Sequence, residues 1–207
     1  FVILTGYKST TITSYFLDQS KKKINLKKNK NFNLSYKLLN AKCNIDFIYT
    51  GIKTGTGGRI KIAFNKLKID EDIFVTYGDG LANLKIKKLV KFHYDKKSMM
   101  TMTAVRPKER YGILKLNNDT NVVQNLDERK QKSNILINGG YFIISKKFIS
   151  LIKSNKDYFE QNPLKKMIRK RKLYAFRHEG FWKSLDTQKD KNEFNQIIKK
   201  GRKPWIR

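Results

Sequence analysis

A mixed α/β domain on a mainly parallel sheet, with helices on both faces, is what this sequence predicts. Three observations carry that prediction. Short β-branched and aromatic runs alternate with stretches of helical period through the first half of the chain. Glycine-bearing turns follow the ends of three of those runs, at Gly6, at 54–59 and at 78–80. Finally, 207 residues with 39% apolar and 12% aromatic content suffice for one globular domain with a real core.

The elements follow in order. Phe1 to Leu4 reads as a buried strand ended by Gly6, and Thr11 to Phe16 as a short helix. The polar stretch 21–33 reads as loop. Ile45, Phe47 and Tyr49 alternate along a second strand, 44–50. Thr54-Gly-Thr-Gly-Gly-Arg59 is a tight loop opening a helix over 60–67. Ile73 to Tyr77 is a strand, and Asp79 sits in the turn beyond it between Gly78 and Gly80. Ile86, Leu89, Val90 and His93 recur at helical spacing and predict a helix over 85–96, with His93 a packed core histidine. A strand over 99–105 stops at Arg106-Pro107. Asn117-Asn-Asp119 joins 111–116 and 122–126 as a hairpin. The strand 135–144 carries Gly139-Gly140, the signature of a bend or a close approach. Helices over 146–152 and 163–170, a strand over 174–178 and a last helix over 189–199 complete a Rossmann-like layout.

The formal charge of +29 poses a fork. Such a field gathers polyanions, as in nucleic-acid binders. The alternative is compositional drift, since Lys, Asn and Ile crowd the chain and share A- and T-rich codons. Basic residues are dense at 21–30, 165–172 and 199–203 but pepper everything between, and no nucleic-acid-binding motif accompanies them. Drift is the favoured branch. The single cysteine, Cys43, rules out an internal disulfide and a thiolate cage and suits a reducing cytoplasm. No apolar run approaches the ~20 residues that span a membrane.

Chemistry centres on Asp79. Ligands of open α/β sheets bind beyond the carboxyl ends of strands, and an acid there is placed to hold a metal ion on a phosphate. Taken alone, a strand followed by an Asp-Gly turn is the better account of it. The 54–59 loop offers backbone N–H groups to an anion or a base, with Arg59 for a bidentate phosphate contact, although such turns are commonly structural. Asp186 precedes the last helix and, viewed alone, is an N-cap.

Taken together, Gly6-Tyr-Lys8, Thr56-Gly-Gly-Arg59, Thr76-Tyr-Gly-Asp-Gly80, Ile137-Asn-Gly-Gly-Tyr-Phe142, Glu160-Gln-Asn-Pro-Leu164, Gly180-Phe-Trp182 with Asp186-Thr187, and Lys203-Pro-Trp205 resemble the sugar-phosphate nucleotidylyltransferases. The order is right over nearly the whole chain, and the combination is that of the cytidylyl branch. The resemblance implies a nucleotide-diphospho-sugar transferase fold, with a nucleotide-binding part over 1–105 and a sugar-binding part over 106–207. It also implies a reaction in which glucose 1-phosphate attacks the α-phosphorus of CTP, giving CDP-glucose and pyrophosphate for bacterial surface polysaccharide. It assigns Mg²⁺ to Asp79 and Asp186, nucleotide contacts to Thr56, Gly58, Arg59 and Gly78, and sugar contacts to Asn138 and Gly139. A cytoplasmic homo-oligomer is expected. A UTP or dTTP donor, and a non-catalytic basic nucleic-acid-binding scaffold, remain as alternatives.

Two departures stand out. The family's Glu-Lys-Pro sugar-phosphate motif appears as Glu128-Arg129-Lys130, so charge is kept while a planar fork replaces a point charge. The family's first strand and its phosphate loop would precede Phe1. The expectation is therefore an N-terminally truncated fragment, inactive alone.

Overall fold

The computed structural model describes residues 1–20, 31–38, 41–107, 113–117, 119–127 and 135–206. Two compact units interleave along the chain, Phe1–Ile73 with Ile144–Leu173, and Phe74–Ile143 with Tyr174–Arg207. The division at residue 105 expected from sequence is one of ligand contacts, whereas these units follow packing.

In the first unit, β1 (Val2–Thr5) runs parallel to β3 (Ala41–Tyr49), and β2 (Phe32–Leu38) lies antiparallel on β3's other side. Helix α1 (Ser9–Ser20) contributes Leu17 to a core with Leu34, Ile45 and Phe47. Phe32 stacks on Phe47 with centroids 4.5 Å apart, and Phe16 meets the same ring edge-on at 5.3 Å. Each such aromatic pair adds roughly 1 kcal/mol beyond its buried area. The strand β2 corrects the expected loop. Its Phe32 and Leu34 alternate inward, and its hairpin with β3 begins while the sequence still reads as lysine- and asparagine-rich. Helix α2 (Thr56–Lys66) follows, burying Ile60, Ala63 and Phe64. Two short helices, α4 (Lys146–Ile149) and α5 (Asn162–Arg169, opened by Pro163), complete the unit.

In the second unit, β4 (Ile73–Thr76), β6 (Met100–Val105), β9 (Ile137–Ile144) and β10 (Leu173–His178) form a sheet of order β10-β6-β9-β4. Met100, Phe142 and Ile144 are fully buried in it. Helix α3 (Ile86–Asp95) buries Leu89 and His93, and Phe92 meets Phe176 of β10 edge-on at 5.5 Å. His93 is the packed histidine expected, with Nδ1 2.8 Å from Thr101 Oγ1. Ile86, expected on the same face, is 56% exposed because it occupies the helix's first turn. The hairpin of β7 (Ile113–Leu116) and β8 (Val123–Asp127) forms as expected, its turn held by Asn117 Oδ1, which accepts from Asp119 N and Thr120 N. Two three-residue strands, β5 (Gly80–Ala82) and β11 (Trp182–Ser184), pair antiparallel, and α6 (Gln188–Lys199) follows β11. Among the described residues no helix is long and apolar enough to cross a membrane.

Candidate active site

The β5–β11 ladder brings the two acids together. Its register sets Gly80 across from Ser184, Leu81 from Lys183 and Ala82 from Trp182. One step outward, Leu185 N donates to Asp79 O at 2.8 Å, so the pairing continues past the strand ends. The chain therefore carries Asp79 directly before β5 and Asp186 two residues after β11, at the same end of one ladder, although 107 positions separate them in sequence. Both carboxylates are exposed.

Asp186 is not the helix cap. Thr187 caps α6, accepting from Asp190 N, while the Asp190 carboxylate accepts from Thr187 N at 3.0 Å in a reciprocal capping box. The Asp186 carboxylate instead accepts from Ser184 Oγ at 2.7 Å. Lys183 ties β11 to α6 by pairing with Glu193 and approaching Asp190 at 3.6 Å. Its hydrogen bond holds the Glu193 carboxyl below its ordinary range. The short link bearing Asp186 is thus fastened at both ends.

The Asp79 turn has its own supports. Tyr141 on β9 donates its hydroxyl to Gly80 O at 2.8 Å. Burial pushes that phenol above its ordinary value, against hydrogen bonds with Ala82 and Thr76, so it remains a donor. Tyr77 N donates to Gly140 O at 3.1 Å, and the Tyr77 ring lies over Gly140. Gly140 has φ +78, which explains the bend expected in β9, while Asn138 Oδ1 accepts from Gly140 N at 2.9 Å. A side chain at Gly139 would meet Val105 Cγ1 at 2.8 Å, and Trp182 Nε1 donates to Gly139 O at 2.7 Å. Asn138 and Gly139 therefore sit on a stretch locked to β11 by an indole. At Gly78 an added Cβ would meet nothing within 4 Å and φ is not positive, so internal packing gives no reason for this glycine. Open space beside an exposed acid is what the approach of a ligand's backbone-hugging group requires.

The 54–59 loop differs from its expectation. Its N–H groups do not line an open cradle: Gly55 N donates to Asn155 O at 2.9 Å, and Gly57 N and Gly58 N both donate to Asp157 O, at 2.9 and 3.2 Å. These glycines are small because the chain's own loop 153–157 lies against them, an added Cβ at Gly58 falling 2.1 Å from Asn155 O. Thr56 Oγ1 donates to Glu160 Oε2 at 2.6 Å and accepts from Phe159 N at 3.2 Å. The Asp157 carboxylate accepts from Lys153 N and Ser154 N, and these two bonds pull its pKa below the ordinary carboxylate range. Arg59 reaches Thr5 O at 3.0 Å and the Thr50 hydroxyl, and so clips together the ends of β1 and β3. Sequence spacing identifies a glycine turn before a helix, but not the oxygen that fills it.

A hollow in the second unit, about 290 Å³, is lined by Val105, Arg106, His178, Glu179 and Trp182 among others. Arg106 pairs with Glu179 across it at 2.6 Å. Sequence reasoning treated Arg106 only as a strand stop, and nothing local signals its partner 73 residues away. Glu128 and Arg129 lie outside the described residues. No cluster of three or more His, Cys, Asp or Glu forms among the described residues, which leaves the Asp79–Asp186 pair as the candidate cation ligands. Two hard, exposed carboxylate donors fit Mg²⁺, which takes one or two carboxylates and fills its remaining positions with substrate phosphate and water.

The profile of the nucleotidyl transferase family matches residues 1–200. The glucose-1-phosphate cytidylyltransferases of Salmonella typhi and Salmonella typhimurium are each 34% identical over 209 aligned residues, covering 99% of this chain and 80% of the relative. Among solved structures, HddC from Yersinia pseudotuberculosis, including a complex with GMP-PN, superposes with TM-score 0.64 over 95% of this chain and 77% of that one, at 22–23% identity. At that identity the likeness concerns the fold.

Proposed function

The chain belongs to the nucleotidyl transferase family, and on that premise we propose that it transfers a cytidylyl group from CTP to glucose 1-phosphate, giving CDP-glucose and pyrophosphate. The observation that carries the reading is the placement of Asp79 and Asp186 at one end of the β5–β11 ladder. In-line attack by the sugar phosphate on the α-phosphorus asks a protein chiefly for positioning and charge neutralisation.

Asp79 and Asp186 would hold Mg²⁺. When bound, the ion supplies positive charge where negative charge accumulates on the transferring and leaving phosphates. The protein's own part is to hold both carboxylates still, through Tyr141, Ser184, the Thr187–Asp190 cap and the Lys183 tie. Gly78 leaves room for the nucleotide. Thr56, Gly58 and Arg59 belong to the nucleotide side as shapers of the loop and strand ends rather than as donors to the phosphates. Asn138 and Gly139, with Glu128 and Arg129, belong to the sugar side. A reaction drawing on CTP and glucose 1-phosphate belongs in the cytoplasm, and its product would feed deoxysugars of a bacterial surface polysaccharide, with the enzyme a homo-oligomer.

The test is product formation by the full gene product containing this chain, supplied with glucose 1-phosphate, Mg²⁺ and each of CTP, UTP and dTTP. CDP-glucose as the dominant product, lost with Asp79→Asn, is the expected result. UDP- or dTDP-glucose would replace the donor. No product from a folded protein, together with salt-sensitive binding to nucleic acid, would favour the basic-scaffold alternative.

A further inference from the structure

We propose that Glu179, held by Arg106, sets the acceptor specificity of the transfer by accepting hydrogen bonds from ring hydroxyls of the sugar phosphate, which seats its ring in the hollow beside the pair. This rests on the reaction proposed above. The hollow stands where strands end. Tyr77, directly after β4, bonds Gly140, and Val105, the last residue of β6, lies against Gly139. Arg106 pairs with Glu179, which directly follows β10. The carboxyl ends of β4, β6 and β10 therefore gather at the first half of β9, and ligands of open sheets bind beyond such ends. Asp79 leaves from one of these ends, and the hollow lies at the other two.

The β5–β11 ladder joins the two places. Side chains alternate between the faces of a strand, so Trp182, which lines the hollow, shares a face of β11 with Ser184, whose hydroxyl meets the Asp186 carboxylate. Lys183 takes the other face, toward α6. Across from Trp182 and Ser184 stand Ala82 and Gly80, small residues that keep this face low. Ala82 is three residues from Asp79, roughly 10 Å along a strand. A hexose 1-phosphate with its phosphate at the acids therefore reaches the hollow with its ring. At about 290 Å³ the hollow is at the small end of ligand pockets, which suits one sugar ring. Its indole wall is fixed by the bond from Trp182 Nε1 to Gly139 O at 2.7 Å.

The chemistry of the pair fits hydroxyls. Arg106 donates from Nη1 to Glu179 Oε2 at 2.6 Å. Glu179 Oε1 remains as an acceptor, with the other guanidinium N–H groups as donors beside it. Hydroxyls on neighbouring ring carbons each donate and accept, so an adjacent acceptor and donor meet them as a set. The side chains of Arg106 and Glu179 are 44% and 63% exposed, open enough to meet a ligand. Arg106 also keeps Glu179 from swinging away, so the acceptor is in place before the sugar arrives.

The experiment is calorimetric titration of the full gene product, with Mg²⁺ and a non-reacting CTP analogue present, by glucose 1-phosphate and by its 3-deoxy and 4-deoxy analogues. A hydrogen bond to a carboxylate is strong, so Glu179→Gln should weaken glucose 1-phosphate by about tenfold or more while leaving the affinity for the CTP analogue within about twofold. In the wild type at least one deoxy analogue should bind about tenfold more weakly than glucose 1-phosphate, and in Glu179→Gln that difference should shrink to within about twofold. Equal weakening of glucose 1-phosphate and both analogues by Glu179→Gln would mean that Glu179 only shapes the hollow, and would overturn the inference. Wild-type affinity for glucose 1-phosphate in Glu179→Gln would overturn it too, and would leave the transfer to glucose 1-phosphate standing. A wild-type protein that binds no glucose 1-phosphate would overturn the proposed reaction along with it.

Discussion

Replacing Gly58 by alanine tests why the 54–59 turn is built of glycine. The added Cβ would lie 2.1 Å from Asn155 O, 2.5 Å from its carbonyl carbon and 2.6 Å from its Cα, all backbone atoms that no rotamer change can move. Reaching an ordinary contact of 3.4 Å requires the 153–157 loop to withdraw by more than an ångström. That motion carries the bonds from Gly55 N, Gly57 N and Gly58 N, now 2.9–3.2 Å, out of hydrogen-bonding range. Three bonds at about 1 kcal/mol each, offset by about 1 kcal/mol gained on removing a glycine from a helix, leave a net loss of about 2 kcal/mol. For a chain of this size the loss lowers the melting temperature by about 4–8 °C. Thermal unfolding followed by circular dichroism without nucleotide reads this directly. A melting temperature at or above that of the wild type would refute the docking of the loop. If CTP binding were weakened at the same time, the turn would be an anion cradle after all.

Two further outcomes follow from the same unit. Arg59→Met removes the Nη1 group that donates to both Thr5 O and the Thr50 hydroxyl, so it should cost about 2 kcal/mol and about 4–8 °C. A melting temperature within a degree of wild type would remove the clip between β1 and β3. Asp157 is acidified by its bonds from Ser154 N and Lys153 N. Its stabilisation is therefore complete above the unfolded value of 3.8 and is lost as pH falls through the lower folded value. The melting temperature of Asp157→Asn should accordingly start lower at neutral pH and fall less steeply than wild type below about pH 4. Parallel acid limbs in the two proteins would contradict this.

The longer elements were legible because their periodicity is local. Leu89 and His93 of α3 and the Gly139-Gly140 bend of β9 need only neighbouring residues to be recognised. Strand β2 was not read, although Phe32 and Leu34 alternate correctly, because only the exposed Asn33 separates them and the lysine- and asparagine-rich sequence before them reads as loop. Strands β5 and β11 have three residues each, too few for any period. The acids were paired through resemblance, and the register of those two strands supplies the physical reason. What the sequence withheld was distant partnership: Thr56 with Glu160, Arg59 with Thr5, and Arg106 with Glu179 are bonds between residues 54 or more positions apart. The glycine turn was therefore recognised as a turn and given the wrong occupant.

The interleaving of the two units bears on how the protein is made. Helix α2 leaves the ribosome with three glycine N–H groups of its first turn and the preceding residue unmet, and their acceptors at Asn155 and Asp157 lie about a hundred residues downstream. At roughly 5–20 residues per second, the ribosome leaves that end of the helix hydrated and fraying for about 5–20 seconds. Translation must pass Asp157 before the first unit can close, by which time most of the second unit's strands already exist. A messenger truncated shortly before that codon would therefore yield a nascent chain that holds β1 to β3 yet cannot finish the unit they begin.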